Sequence, residues 1–186
     1  MKRLFDLTLV LVGAVIFACP LLIVAFLIKL TSTGPVIYWS DRVGRNNAIF
    51  RMPKFRTMHI DTPAIATHLL TNPASYLTPV GRFLRRSSLD ELPQLWCIFK
   101  GDMTFVGPRP ALFNQFDLIE LRTQALVHEI SPGLTGWAQV NGRDELPIPQ
   151  KVMLDAYYRQ HQSIWLDLKI IVLTVFKVVK RDGVVH

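Results

Sequence analysis

Two adjacent carboxylates, Asp90 and Glu91, follow three arginines (Arg82, Arg85 and Arg86) and stand just ahead of Pro93. The plainest reading is a helix start, because Ser88 and Glu91 have the spacing of a capping box and Asp90 could itself be the N-cap. The same position also suits phosphate chemistry. A helix N-terminus offers N–H donors, and the nearby guanidinium groups offer charge for anionic oxygens. The two roles are compatible.

Further along, Gly107-Pro108-Arg109-Pro110 sets one guanidinium between two residues of fixed φ, a rigid presentation that suits a phosphate clamp; the alternative is a proline-rich turn with an exposed arginine. The run Ser131-Pro132-Gly133-Leu134-Thr135-Gly136-Trp137-Ala138-Gln139-Val140-Asn141-Gly142-Arg143 offers glycines, an aromatic plate and an amide. It could cradle a nucleotide or form a tight hairpin, since Asn-Gly is a strong turn signal. Lys54-Phe55-Arg56 places two cations around an aromatic, in what would otherwise be an ordinary edge strand. Neither a Walker A loop nor a Rossmann glycine fingerprint occurs. The five histidines lack ligand spacing, and neither CxxC nor HExxH is present.

A net charge of +7 and a sequence pI near 9.7 point to anionic partners. A mean hydropathy of +0.28 tilts the choice toward lipid headgroups, and nucleic acid is not an expected partner. Cys19 and Cys97 lie in separate apolar runs, which argues against a disulfide framework and fits a reducing, cytoplasmic setting.

The elements that must position these residues begin with an anchor. No charged residue falls between Asp6 and Lys29, and as a helix this stretch would cover roughly 33 Å, enough to cross a hydrocarbon core. Pro20 interrupts it, and cations flank both ends (Lys2 and Arg3, then Lys29). Positive residues favour the cytoplasmic side, so a helix that enters, kinks at Pro20 and returns fits better than one that crosses. The division is therefore residues 1–30 as a re-entrant membrane hairpin and residues 31–186 as one compact cytosolic domain.

Within that domain, Thr31–Tyr38 reads as a turn entering a short strand, Asp41–Arg45 as a basic turn, Ile49–Met58 as a second strand and Ile65–Leu70 as a short helix. Two helices should meet near Ser88. Plotted at 100° per residue, 164–181 places Trp165, Leu168, Ile171, Val172, Val175, Phe176 and Val179 on one face and Asp167, Lys169, Lys177, Lys180 and Arg181 on the other, with Leu166, Ile170 and Leu173 the only large apolar residues among them. That pattern suits an amphipathic helix at a membrane interface or one packed on a core. The fold class is α/β, mostly helical with a small sheet.

Taken together, Lys54-Phe55-Arg56-Thr57-Met58, Ser88-Leu89-Asp90-Glu91-Leu92-Pro93-Gln94-Leu95, Gly107-Pro108-Arg109-Pro110 and Gly133-x-x-Gly136-Trp137-Ala138-Gln139-Val140-Asn141-Gly142-Arg143 closely resemble the bacterial sugar transferases, the small monotopic phosphoglycosyl transferases. The resemblance runs in order along nearly the whole chain. It implies an enzyme of the bacterial inner membrane, facing the cytoplasm, that moves a sugar 1-phosphate from a UDP-sugar to a polyprenyl phosphate such as undecaprenyl phosphate and releases UMP. That reaction would initiate O-antigen, capsule or other glycoconjugate synthesis.

By the same resemblance, Asp90 is the nucleophile and a ligand of Mg²⁺, and Glu91 assists it. Arg85 and Arg109 bind phosphate, Lys54 and Arg56 lie near the site, and Gln139 and Arg143 sit by the nucleotide. Cys19 stands where many relatives carry Ser ahead of the membrane proline, leaving more of the bend to Pro20. The donor sugar and any homo-oligomer are left open. The reading from another class is a non-catalytic membrane-tethered scaffold that binds acidic lipid through Lys177, Lys180 and their neighbours.

Overall fold

The computed structural model describes residues 1–63, 71–142 and 146–180. The helix expected at Ile65–Leu70, and Arg143 and Arg181, lie outside the described residues.

Helix α1, Lys2–Thr31, runs without interruption through Pro20 and is long and apolar enough to cross a membrane. Asp6, Val10, Val24 and Ile28 are buried against the rest of the protein, at the spacing of one helical face. Leu11, Val15, Ile16, Leu22, Ile23, Phe26 and Leu30 point away and are exposed. Both ends of α1 are tied to the same body. Near the start, Lys2 Nζ donates to Asp167 Oδ2 at 2.6 Å, and the buried Asp6 carboxylate accepts from Thr104 Oγ1 (2.7 Å) and the Phe105 amide (3.0 Å). At the other end, Arg56 donates to the carbonyl and hydroxyl oxygens of Ser32 and to the Pro35 carbonyl.

Strands β1 (Ile37–Val43) and β2 (Ile49–Phe55) form an antiparallel hairpin. Asp41 to Val43, expected in a turn, are in β1; the turn comes later, at Gly44–Asn47, where Asn46 and Asn47 take left-handed φ values that asparagine tolerates. Pro53 is accommodated because the ribbon has two strands and needs no outward N–H. Helix α2 (Gly81–Ser87), a 3-10 turn (Leu89–Gln94) and α3 (Leu95–Lys100) follow, so helices do meet near Ser88. Phe55 and Leu84 bury with Val24 and Ile28 of α1, while Met52, Cys97 and Ile98 bury with Val10. Each large side chain so buried contributes roughly 1.5–3 kcal/mol.

Strands β3 (Thr104–Val106) and β4 (Gly133–Thr135) pair in parallel, so the small sheet is two separate two-stranded pairs. Helices α4 (Phe116–Gln124), α5 (Trp137–Val140), α6 (Ile148–Gln160) and α7 (Ile164–Lys180) complete the chain. A cluster of Val106, Val140, Tyr158 and Ile170 joins β3 to the last three helices. The glycines at 133 and 136 do not open a cradle. A Cβ on Gly133 would collide with the Gly107 amide nitrogen and one on Gly136 with the Gly107 carbonyl oxygen, so they let two backbones close-pack.

Helix α7 docks through the face expected to be polar. Asp167 and Ile170 are buried, and the Tyr158 hydroxyl donates to Asp167 Oδ1 at 2.6 Å. Trp165, Leu168, Val172, Val175 and Phe176 are exposed instead. Asp167 thus leaves the solvated face assigned to it, because Tyr158 and Lys2 supply the donors that make its burial tolerable.

Candidate active site

The dyad sits in the 3-10 turn between α2 and α3, which faces β2. Capping does not explain it. Ser88 is at the N-cap position in a left-handed conformation, φ 56°, and no side chain bonds back to the turn's amides. Pro93 inside the turn removes an N–H and favours the tight 3-10 form over a regular helix.

The two carboxylates have different surroundings. Glu91 Oε1 accepts from both Lys54 Nζ (2.9 Å) and Arg109 Nη2 (3.0 Å). Burial works against its charge, but Lys54 and Arg109 outweigh it through charge and hydrogen bonds and hold the carboxyl well below the usual carboxylate range. Asp90 is 8% exposed, and among the described residues no group donates to its carboxylate. Burial, aided by the negative charge of Glu91, pushes its pKa up to about 6 despite the opposing pull of Lys54, Arg85 and Arg109. Burial likewise lowers Lys54 and Arg85 from their ordinary values. Glu91 is therefore a fixed counter-ion, and Asp90 is a carboxylate ionised at neutral pH with its lone pairs open.

Among the described residues three cations, Lys54, Arg85 and Arg109, act on Asp90, and guanidinium and ammonium groups of this kind suit a phosphate-bearing ligand. Lys54 reaches the dyad from β2. Arg85 comes from α2 and is steadied by Thr57 Oγ1, to which its Nε donates at 3.0 Å. Arg109 projects from the Pro-Arg-Pro segment after β3, half-buried on Glu91. Arg82 and Arg86, grouped with Arg85 by the sequence, are exposed.

Arg56 is placed differently. It is 4% exposed and closes the C-terminal end of α1, with its observed bonds going to Ser32 and Pro35. The chain leaves β2 after Phe55, so the two-residue alternation that would align Arg56 with Lys54 ends there. Gln139 Nε2 donates to the Leu134 carbonyl at 3.2 Å, and no observed bond joins it to the dyad. Asn141 and Gly142 form no hairpin among the described residues, since α5 precedes them.

Several supporting residues carry no local signature. Arg42 donates to the Pro110 carbonyl at 3.2 Å, and Arg122, paired with the buried Asp155, donates to the Arg109 carbonyl at 2.7 Å. Gln94, four residues after Asp90, is buried, and its Nε2 has no partner among the described residues. Among the described residues no group of three or more His, Cys, Asp or Glu side chains could enclose a metal ion. Among the described residues Asp90 offers one carboxylate ligand, which is compatible with Mg²⁺, since that ion commonly takes one or two carboxylates with phosphate oxygens and water for the rest.

Comparison with known proteins places the chain. The profile of the family described as bacterial sugar transferase matches residues 1–181. An uncharacterized sugar transferase of Bacillus subtilis, EpsL, is 41% identical across 99% of this chain and 90% of its own length. An undecaprenyl-phosphate glucose phosphotransferase of Komagataeibacter xylinus is 41% identical, and a UDP-glucose:undecaprenyl-phosphate glucose-1-phosphate transferase of Escherichia coli 38%. Those matches cover 94% and 95% of this chain but 35% and 40% of the two relatives.

Proposed function

The chain belongs to the bacterial sugar transferase family, and on that premise we propose that it transfers a sugar 1-phosphate from a UDP-sugar to undecaprenyl phosphate and releases UMP. The observation that carries this reading is the unequal dyad, with Glu91 pinned by two cations beside an Asp90 carboxylate that no described residue hydrogen-bonds.

The reaction runs as two displacements at one phosphorus. An Asp90 oxygen attacks the sugar-bearing phosphorus of the donor, the bridging P–O bond breaks, and its electron pair leaves on UMP. An oxygen of the lipid phosphate then attacks the same phosphorus, and the acyl–phosphate bond breaks to restore the carboxylate. Anhydride replaces anhydride in each step, so no ATP is consumed. Lys54 and Arg109 hold Glu91 ionised beside the nucleophile, and Arg85 and Arg109 receive the phosphate oxygens. Asp90 would hold Mg²⁺, which would supply charge that offsets repulsion between carboxylate and phosphate.

The lipid acceptor requires the site to stand at a membrane surface, and α1 provides the anchor. We read it as re-entrant from the cytoplasmic face of the inner membrane. Both of its ends bond to the rest of the protein, through Asp6 and through Ser32, which supports a path that begins and ends on one side of the bilayer. The exposed apolar faces of α1 and α7 suit burial among lipids.

A panel of UDP-sugars supplied with undecaprenyl phosphate and Mg²⁺ tests the function. UMP release from at least one donor, abolished in Asp90→Asn, is the expected result. Absence of release from every donor, with liposome binding intact, would favour the scaffold reading and contradict this one.

A further inference from the structure

Pro108 and Pro110 have no N–H to give, so the segment that carries Arg109 cannot be fixed by amides at those positions. Its carbonyls do the work. Four in succession are each held by a distant donor: Pro108 by the Gly133 amide (2.9 Å), Arg109 by Arg122 Nη1 (2.7 Å), Pro110 by Arg42 Nη1 (3.2 Å) and Ala111 by the Val43 amide (2.9 Å). The bond at Arg109 itself comes from a side chain with an elaborate support. Arg122 sits on α4, and its Nε and Nη2 both donate to Oδ2 of Asp155 on α6, at 3.0 and 2.6 Å. Asp155 is 1% exposed.

We propose that Arg122, oriented by Asp155, is a positioning residue for Arg109. The planar guanidinium uses one edge on the carboxylate, and that fixes where its remaining nitrogen points. The relay runs from Asp155 through Arg122 to the Arg109 backbone, and from the Arg109 side chain to Glu91 Oε1. A pair serving stability alone gains little from burial, because apolar residues of like volume would replace it at no net cost. The shared carbonyl is what such residues could not supply. The inference rests on the reading of Arg109 as part of the phosphate-binding site.

Two measurements test it. In the first, UMP release is compared for wild type, Arg122→Lys, Arg109→Ala and the double variant. A lysine keeps the charge but cannot serve Asp155 and the Arg109 carbonyl in one geometry. The single Arg122→Lys variant should lose at least tenfold in kcat with its melting temperature nearly unchanged. In the Arg109→Ala background the same change should cost less than twofold, since the effect passes through Arg109. Equal losses in both backgrounds, or a wild-type rate in Arg122→Lys, would overturn the proposal. So would a wild-type kcat in the apolar pair Arg122→Met with Asp155→Leu, which keeps packing without the carbonyl bond.

The second measurement needs no turnover. Amide hydrogen exchange across 107–116 should quicken in Arg122→Lys while that of α6 does not. Unchanged exchange in the loop contradicts the relay even if wild type releases no UMP, an outcome that would separately refute the proposed function.

Discussion

Lys54 Nζ lies 2.9 Å from Glu91 Oε1, and this contact, shared with Arg109, divides the labour of two adjacent carboxylates. It holds Glu91 ionised and contributes a positive charge that restrains the rise in the Asp90 pKa. In Lys54→Met that restraint is lost, so Asp90 titrates at higher pH. Wild-type kcat/KM should climb with pH through about 6 as Asp90 ionises, and the variant's acid limb should lie at higher pH. A pH–rate profile of UMP release checks both; coincident acid limbs would contradict the pairing.

The dyad's two amides should move stability in opposite directions. Asp90 has its pKa raised from 3.8 to about 6 on folding, so the folded state binds the extra proton in that window. Stability is lost as pH rises through it and stays lost above. Asp90→Asn should therefore stabilise the protein at pH 7.5, by at most roughly 3 kcal/mol. Glu91 is the reverse: its lowered pKa adds stability above the unfolded value that disappears as pH falls. Glu91→Gln leaves Lys54 buried without its counter-ion and should cost about 3 kcal/mol. Denaturant melts of both variants at pH 7.5 decide the signs.

Arg56→Ala removes three observed hydrogen bonds, to Ser32 and to the Pro35 carbonyl, from the end of α1. A loss of about 2–4 kcal/mol is expected. UMP release per folded molecule should stay within twofold of wild type. A large drop in kcat without loss of stability would instead return Arg56 to the reacting centre.

The dyad, Lys54 and Arg109 stand in short motifs that carry the family resemblance, and the structure brings all four together. Arg122 and Asp155 stand in none of these motifs. Each is one of several charges on its helix, indistinguishable by spacing from a solvated residue until α4 meets α6. The helical plot of α7 separated two faces correctly but could not say which one docks. That depends on Tyr158 and Lys2, distant in sequence, which give Asp167 its donors. Likewise the paired glycines of 133–136 looked like room for a ligand, and the room is filled by the Gly107 backbone.

The proposed re-entrant topology is tested at the two ends of α1. A cysteine added ahead of Met1 and one at Thr33→Cys should both react from the cytoplasmic side with an impermeant thiol reagent in sealed vesicles of known orientation. Labelling of the two from opposite sides would refute re-entry.

Trapping the intermediate tests the central claim most directly. With a donor identified by the UMP-release panel and no lipid acceptor present, the protein should release up to one equivalent of UMP in a burst. Peptide mass spectrometry should find the sugar phosphate on Asp90, and undecaprenyl phosphate should discharge it. A burst that survives Asp90→Asn, or an adduct on any other residue, would contradict the account.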